Sequence, residues 1–167
     1  MTRAKYLSPA RAARIRKGIA QNNDVLFAHN ATVGPVAILR TAEKKVILGT
    51  SLTYYRCNPD RILPGYLSNY MRSSVFKAQY LQVMRQSTRN QVPITKQREF
   101  FHVIPPIDEQ RQIVGALHGI FESSKTLERS YRQKLVSLAA LKQAILQKAF
   151  AGQLAGQPEK VAQEASA

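Results

Sequence analysis

The stretch at residues 108–150 constrains the fold most, because it contains no proline and follows two prolines directly. Pro105 and Pro106 cannot continue a helix or a β-ladder. Asp108 and Glu109 come next, where negative charge favours the positive end of a helix dipole. At 1.5 Å per residue, a continuous helix over 108–150 would be about 65 Å long. The sequence therefore predicts one long helix that begins just after the prolines.

The same stretch carries an apolar stripe. Its apolar residues recur at steps of mostly three and four, which is typical of a helix with coiled-coil character. A helix this long outruns a small domain, so we expect part of the stripe to contact another chain. The predicted interface residues are Ile113, Leu117, Ile120, Leu127, Tyr131, Leu135, Leu138 and Ile145. The alternative is a C-terminal helix that folds back on its own domain.

Positive charge is concentrated before this helix. Residues 1–106 contain 17 Lys+Arg and 4 Asp+Glu, whereas residues 107–167 contain 8 and 6. Such an excess favours a polyanionic partner, and the 11 arginines among the 17 suit forked contacts to phosphates and guanine edges. We expect nucleic acid, with a merely solvated basic face as the alternative. Anionic lipid is disfavoured because no basic helix pairs with a clean apolar face.

The chain of 167 residues suits one small domain with an extended element. We predict a basic domain at 1–106, the long helix at 107–152 and a disordered tail at 153–167. Cys57 is the single cysteine, which excludes an internal disulfide. No apolar run approaches the ~18 residues of a membrane span, so we expect a cytoplasmic protein that does not contact a membrane.

The basic region mixes helix and strand signals, which predicts an α+β fold. Ser8 and Pro9 open a short basic helix over 10–17. Strands are expected at 24–28, 35–39, 46–48 and 51–56, and a helical pattern begins at Pro64. Residues 85–91 are all polar and include two arginines, between that helix and a further strand. They predict a recognition loop, with an ordinary solvated connection as the alternative.

Asp24 at a strand start raises an enzymatic alternative. Together with Glu43 and Lys44 it resembles faintly the acidic pair plus lysine of metal-dependent nucleases. A solvated turn around Glu43 is the favoured interpretation. We therefore predict no catalytic residue, no metal site and no cofactor.

Several pieces in order resemble the DNA-specificity (S) subunit of type I restriction-modification systems. The most specific are the Pro-Pro-Ile-Asp-Glu-Gln-Arg-Gln-Ile-Val block at 105–114 and the Gln-Lys-Ala-Phe-Ala-Gly end at 147–152. Weaker pieces lie at 6–8, 23–28, 31–39, 62–76 and 87–90. The resemblance covers about residues 5–154 and implies the C-terminal part of one target-recognition domain plus its conserved spacer helix.

The resemblance also implies the partners. In this family two target-recognition domains are each followed by a long helix, and the two helices pair antiparallel as a spacer. Methyltransferase (M) subunits dock on that scaffold and the restriction (R) subunit joins for cleavage, while the S subunit carries no catalytic residues. We therefore expect double-stranded DNA, M and R subunits, and a homodimer or a second half-subunit joined through the helix.

By the same resemblance, this chain would be a half-subunit whose recognition domain begins late. A truncated remnant that acts only in assembly, through its helix, is the alternative function. Candidate DNA contacts are His29, Asn30, Arg72, Lys77, Arg85, Ser87, Thr88, Arg89 and Asn90. For His29, a histidine satisfied inside the protein or solvated at its surface is the competing interpretation.

Overall fold

A computed structural model describes residues 6–86 and 88–154. Its strands are β1 (Ile19–Ala20), β2 (Val25–Ala28), β3 (Val36–Ile38), β4 (Val46–Ile47) and β5 (Leu52–Tyr55). Its helices are α1 (Pro9–Arg14), α2 (Pro64–Tyr70), α3 (Ser74–Arg85), α4 (Ile94–Gln97) and α5 (Ile107–Phe150). The predicted α+β fold, a small mixed domain followed by one long helix, is confirmed.

The strands form two antiparallel sheets. β2 lies between β3 and β5 in a three-stranded sheet, with Val25 opposite both Ile38 and Tyr55. β1 and β4 form a separate two-stranded ribbon. Val25 and Phe27 alternate with less buried neighbours and point into the core, as the period of two in a half-buried strand requires.

Helices α2 and α3 cover one face of the three-stranded sheet. Their buried residues join those of β2 and β3 in one core: Val25, Phe27, Val36, Leu67, Met71, Phe76, Tyr80 and Val92. The rings of Phe27 and Phe76 meet edge to face, with centroids 5.7 Å apart. This core fixes the position of both ends of β2.

Two local predictions differ from the structure. The first helix ends at Arg14 rather than at residue 17, because Ile15 is already extended as the chain turns toward β1. The strand expected after Pro93 is instead the short helix α4. Pro93 has no N–H for a ladder, and the Val92 carbonyl accepts hydrogen bonds from side chains.

By internal contacts the chain falls into two units, one ending at Leu117 and the other beginning at His118. We call the described part of the first unit the head and the described part of the second the distal helix. The predicted boundaries at residues 106 and 152 stay predictions, and most of the expected tail lies outside the described residues. Among the described helices, none is long and apolar enough to cross a membrane.

Candidate nucleic-acid interface

Two segments distant in sequence meet at one end of β2. We call them the recognition loops: residues 30–34, which join β2 to β3, and residues 88–91, which follow α3. Asn30 and Gln91 form an isolated antiparallel bridge. The Ala31 N–H donates to the Asn90 carbonyl at 3.0 Å, and the Asn90 side-chain Nδ2 donates to the Ala31 carbonyl at 2.9 Å. This end of the sheet thus presents both loops as one surface.

The first recognition loop has an unusual backbone. Ala31 has φ of 63° and Gly34 has φ of 119°, and the Gly34 N–H donates to the Ala28 carbonyl at 3.0 Å. A Cβ at Gly34 would lie 2.8 Å from the Tyr80 hydroxyl oxygen. Glycine therefore supplies both the left-handed geometry and the space that lets the turn approach α3.

His29 lies below the loops rather than on them. It is 4% exposed, and its Nδ1 lies 3.1 Å from the Val92 carbonyl oxygen. Because a carbonyl only accepts hydrogen bonds, Nδ1 carries the proton. Gln97, also 4% exposed, donates its Nε2 to the same carbonyl at 2.9 Å. A direct contact between His29 and DNA would require the ring to leave the core, so the structure favours the competing interpretation, a histidine satisfied inside the protein.

The other candidate contacts are mostly exposed. The Arg72 guanidinium donates to the Val36 carbonyl at 2.8 Å, which holds it beside β3. Asn30 is half-buried, and its Oδ1 accepts from the Ala31 N–H at 2.9 Å. Exposed candidates are Lys77, Arg85, Thr88, Arg89 and Asn90. Ser87 lies outside the described residues. The structure thus gathers Asn30, Thr88, Arg89 and Asn90 on the two recognition loops.

Gln110 is a residue whose role the sequence did not reveal. It is fully buried in the first turn of α5, and its Oε1 accepts from the Leu63 N–H at 2.9 Å. Its Nε2 donates to the carbonyls of Arg61 and Pro105 at 2.9 and 2.8 Å. Its position could have been inferred from helical spacing. Gln110 lies one turn before Ile113 on the same face of the helix, so a polar residue stands there where the stripe would have an apolar one. The amide joins the start of α5 to the loop before α2.

The extended segment before α5 is also fixed by side chains of the head. The Tyr66 hydroxyl donates to the Val103 carbonyl at 2.8 Å, and the Tyr70 hydroxyl to the Phe101 carbonyl at 3.0 Å. Gln79 bonds both backbone groups of Phe101. These bonds satisfy backbone groups of Phe101 and Val103 in a segment that belongs to no strand.

Asp24 is engaged in an ion pair. Its carboxylate is buried and accepts from Arg56 Nε at 3.0 Å, from Arg56 Nη2 at 2.8 Å and from the Gln21 N–H at 2.7 Å. This bonding raises the pKa of Arg56, and burial, with a smaller effect of the Asp24 charge, raises the pKa of the Cys57 thiol. Glu43 is exposed, and no group of three His, Cys, Asp or Glu that could hold a metal occurs among the described residues. This placement does not favour the nuclease alternative.

The predicted stripe of α5 changes its environment along the helix. Ile113 and Leu117 are half-buried, while Ile120, Leu127, Tyr131, Leu135, Leu138 and Ile145 are exposed. Leu135, for example, is 67% exposed. Further large apolar residues that the stripe omitted are also exposed: Phe121, Val136, Leu141, Leu146 and Phe150. Exposed apolar surfaces of this extent are typical of interaction sites.

Comparison with known proteins identifies similar sequences. Residues 10–136 match the family described as the type I restriction modification DNA specificity domain. The chain is 24% identical over 144 residues to the type I restriction enzyme EcoBI specificity subunit of Escherichia coli, covering 85% of this chain and 30% of that protein. It is 35% identical over 72 residues to the StySPI specificity subunit of Salmonella potsdam, covering 43% of this chain and 15% of that protein.

A solved structure shows the same architecture. It comes from work on complex assembly and conformational transition of the type I R-M system, and one of its chains matches with a TM-score of 0.66 at 28% identity. The match covers 84% of the present chain and 33% of that chain. The matched regions thus cover only 15% to 33% of the length of these relatives.

Proposed function

Because the chain belongs to the type I restriction modification DNA specificity domain family, we propose that it supplies sequence-specific DNA recognition to a type I restriction-modification complex. It acts as a specificity subunit or as half of one. Its target is double-stranded DNA. Its own residues perform no chemistry, and methylation and cleavage belong to the M and R subunits that it positions.

The observation that carries this proposal is the convergence of the two recognition loops. Ala31 and Asn90 are 59 positions apart, yet their backbone and side-chain groups pair at one end of the sheet. Polar side chains on exposed loops of a rigid scaffold are the usual means of contacting base edges. The strongly basic composition of residues 1–106 supplies the attraction to phosphates that brings a duplex to these loops.

Selection of duplexes from a random pool tests recognition directly. The wild-type chain should enrich a defined sequence, and Arg85→Ala beside the second loop should lower the ratio of specific to non-specific affinity. Arg129→Ala, an equal change of charge on the distal helix, is the matched control and should leave the ratio unchanged. Equal binding of every sequence by the wild-type chain would contradict the proposal.

The distal helix supports a proposal about assembly. Its large apolar side chains are exposed in the single chain, so we infer that this surface pairs with a second copy or a second half-subunit and receives the M subunits. Ile113 and Leu117, which lie in the part of α5 that belongs to the head, would extend the same seam. In this arrangement the long helix separates two recognition surfaces and sets the spacing of the DNA half-sites.

Two charged substitutions in the seam test the assembly. Leu135→Asp with Leu138→Asp should dissociate the complex in sedimentation, because two buried carboxylates without partners would oppose association. Gln133→Asp with Ser137→Asp adds the same charge away from the stripe and should leave the sedimentation profile unchanged. An unchanged profile for the leucine variant would exclude this seam.

The assembly-only alternative also uses the exposed helix, and the match to the DNA specificity domain family favours recognition over it. The alternative predicts co-purification with an M subunit and no sequence-dependent binding of DNA. Co-purification combined with enrichment of a defined duplex would reject it in favour of recognition.

A further inference from the structure

The three-stranded sheet has a second end, opposite the recognition loops. Ala28 pairs with Leu52 at the loop end, whereas Val25 pairs with Tyr55 at the other end. Beyond Val25, the Arg56 side chain holds the Asp24 carboxylate. The five residue steps from Asp24 to His29, at ~3.3 Å each, place the two ends about 16 Å apart.

The β1–β4 ribbon is attached to this second end. Arg56 Nη2 donates to the Ile19 carbonyl of β1 at 3.2 Å while it also bonds Asp24. Within the ribbon, Ile19 lies opposite Ile47, and the Leu48 N–H donates to the Gly18 carbonyl at 2.8 Å. One arginine thus ties the ribbon to the sheet that carries the recognition loops.

Four positive side chains flank the ribbon, and we call them the ribbon cations: Arg16, Lys17, Lys44 and Lys45. The first two precede β1 and the last two precede β4, so antiparallel pairing places the two pairs at opposite ends of the ribbon. All four are exposed. In the part of the chain that the structure describes, none forms an ion pair within 4.0 Å of a carboxylate.

The nearby negative charge does little to offset them. Asp24 is buried and already paired with Arg56, so its charge is neutralised locally. Glu43 is the exposed acid beside Lys44. The ribbon therefore presents a surplus of mobile positive charge on a frame with fixed backbone geometry, which suits point contacts to phosphates rather than to base edges.

We propose that the ribbon cations bind the phosphate backbone of the same DNA duplex whose bases the recognition loops contact. This inference rests on the proposed function. The separation of about 16 Å between the two ends of the sheet is roughly half a turn of B-DNA, so a single duplex is long enough to span both ends. The ribbon contributes affinity that is independent of sequence, and the loops contribute the discrimination.

The salt dependence of binding tests whether the ribbon cations supply affinity and the recognition loops supply discrimination. Affinities are measured from about 50 to 200 mM salt, for the duplex that the wild-type chain selects and for a scrambled duplex. Lys44→Ala with Lys45→Ala should lower the slope of log affinity against log salt by about 1.8, because each lost phosphate contact removes about 0.9. Arg16→Ala with Lys17→Ala should do the same. Both variants should weaken the two duplexes equally and keep their affinity ratio.

Matched variants separate local contact from net charge. Lys44→Arg with Lys45→Arg keeps the charge and should keep the slope. Lys134→Ala with Lys148→Ala removes the same charge from the distal helix and should also leave the slope unchanged. Thermal melting of each variant verifies that the head remains folded.

Three outcomes would overturn the inference. An unchanged slope in both ribbon variants, with sequence-specific binding intact, rejects the ribbon contact and leaves the proposed function standing. If Lys134→Ala with Lys148→Ala lowers the salt slope by the same amount, the change in slope is due to net charge rather than to contacts of the ribbon cations. Absence of any DNA binding by the wild-type chain rejects the proposed function together with the ribbon contact.

Discussion

The head and the distal helix use apolar residues in opposite ways. In the head, Phe27 and Phe76 are fully buried and pack edge to face. In the distal helix, every described residue is exposed, including Phe121 and Leu135. The two regions have comparable apolar side chains, so the difference lies in what covers them. The head completes its core within one chain, whereas the apolar side chains of the distal helix stay exposed in the single chain.

This contrast predicts that the head contributes most of the stability of the single chain, while the proposed assembly surface contributes little to it. Burial of apolar surface contributes about 25 cal/mol per Å², so Phe76 stabilises the folded head while Phe121 contributes little until a partner covers it. The same reasoning applies to polar groups. Gln110 is satisfied within the head, and the exposed polar residues of the distal helix are satisfied by water and by local pairs such as Arg132 with Glu128.

The largest expected effect comes from one substitution made in both regions. Phe76→Ala should lower the free energy of unfolding by about 3–5 kcal/mol, because it leaves a cavity in the core. Phe121→Ala should change it by less than about 0.5 kcal/mol in the dilute single chain. Denaturant melts followed by circular dichroism measure both. Equal losses would contradict the contrast, since they would mean that Phe121 is covered within its own chain.

Gln110, at the start of α5, gives a second comparison between a buried and an exposed residue. Gln110→Met should cost about 2–3 kcal/mol, because the Leu63 N–H and two carbonyls lose their partner in a buried site. Gln110→Glu should cost more at pH 7 than at pH 4, since an ionised carboxylate would face the Arg61 and Pro105 carbonyls. Urea melts at the two pH values provide the measurement, with Gln112→Met, an exposed neighbour, as the control. A loss as small as that of the control would show that the first turn of α5 does not depend on the Gln110 hydrogen bonds for its place in the head.

Variants of His29 distinguish an effect on the stability of the head from an effect on DNA discrimination. His29→Leu should cost about 1–2 kcal/mol and lower sequence discrimination, because the Val92 carbonyl loses one of its two donors. His29→Asn places an amide N–H where Nδ1 lies and should restore discrimination. Affinities for the selected and scrambled duplexes, measured well below the melting temperature, distinguish the two variants. Identical discrimination in both would mean that His29 only fills space.

The smallest effect concerns His102. Its Nδ1 is buried without a hydrogen-bond partner among the described residues, beside the rings of Tyr55 and Tyr70. Burial lowers its pKa, so the unfolded chain binds the proton more readily and stability falls as pH drops below the ordinary histidine value of about 6.5. His102→Phe should remove this part of the pH dependence and change stability at pH 7 by no more than about 1 kcal/mol. Thermal melts from pH 7 to 5 test it, and a slope that persists would point to another group.

Much of the fold could be predicted from local patterns in the sequence. The strand predicted at 24–28 is Val25–Ala28, and the helix predicted at 108–150 is Ile107–Phe150. Both rest on short-range chemistry, in which alternating burial defines a strand and Pro106 followed by acidic residues defines a helix start. The helix over 10–17 was predicted too long because extended geometry at Ile15 depends on the later pairing of β1 with β4.

The candidate site was harder to predict from the sequence, because its parts come from distant segments of the chain. Loop positions such as Thr88 and Asn90 could be proposed from polarity alone. The pairing of Asn90 with Ala31, and the left-handed backbone at Ala31, have no local signal, since alanine rarely adopts that conformation. His29 was a plausible contact by its position after a strand, and its burial beneath Val92 places it below the surface instead.

The amino-acid order alone was sufficient to predict the long helix, its apolar stripe and the basic charge of residues 1–106. Each of these depends on neighbouring residues or on simple counts. Folding in three dimensions was needed to bring the recognition loops together, to turn His29 inward and to bury Gln110 among backbone groups. These features depend on contacts between residues tens of positions apart, and such contacts exist only once the core around Phe27 and Phe76 has formed.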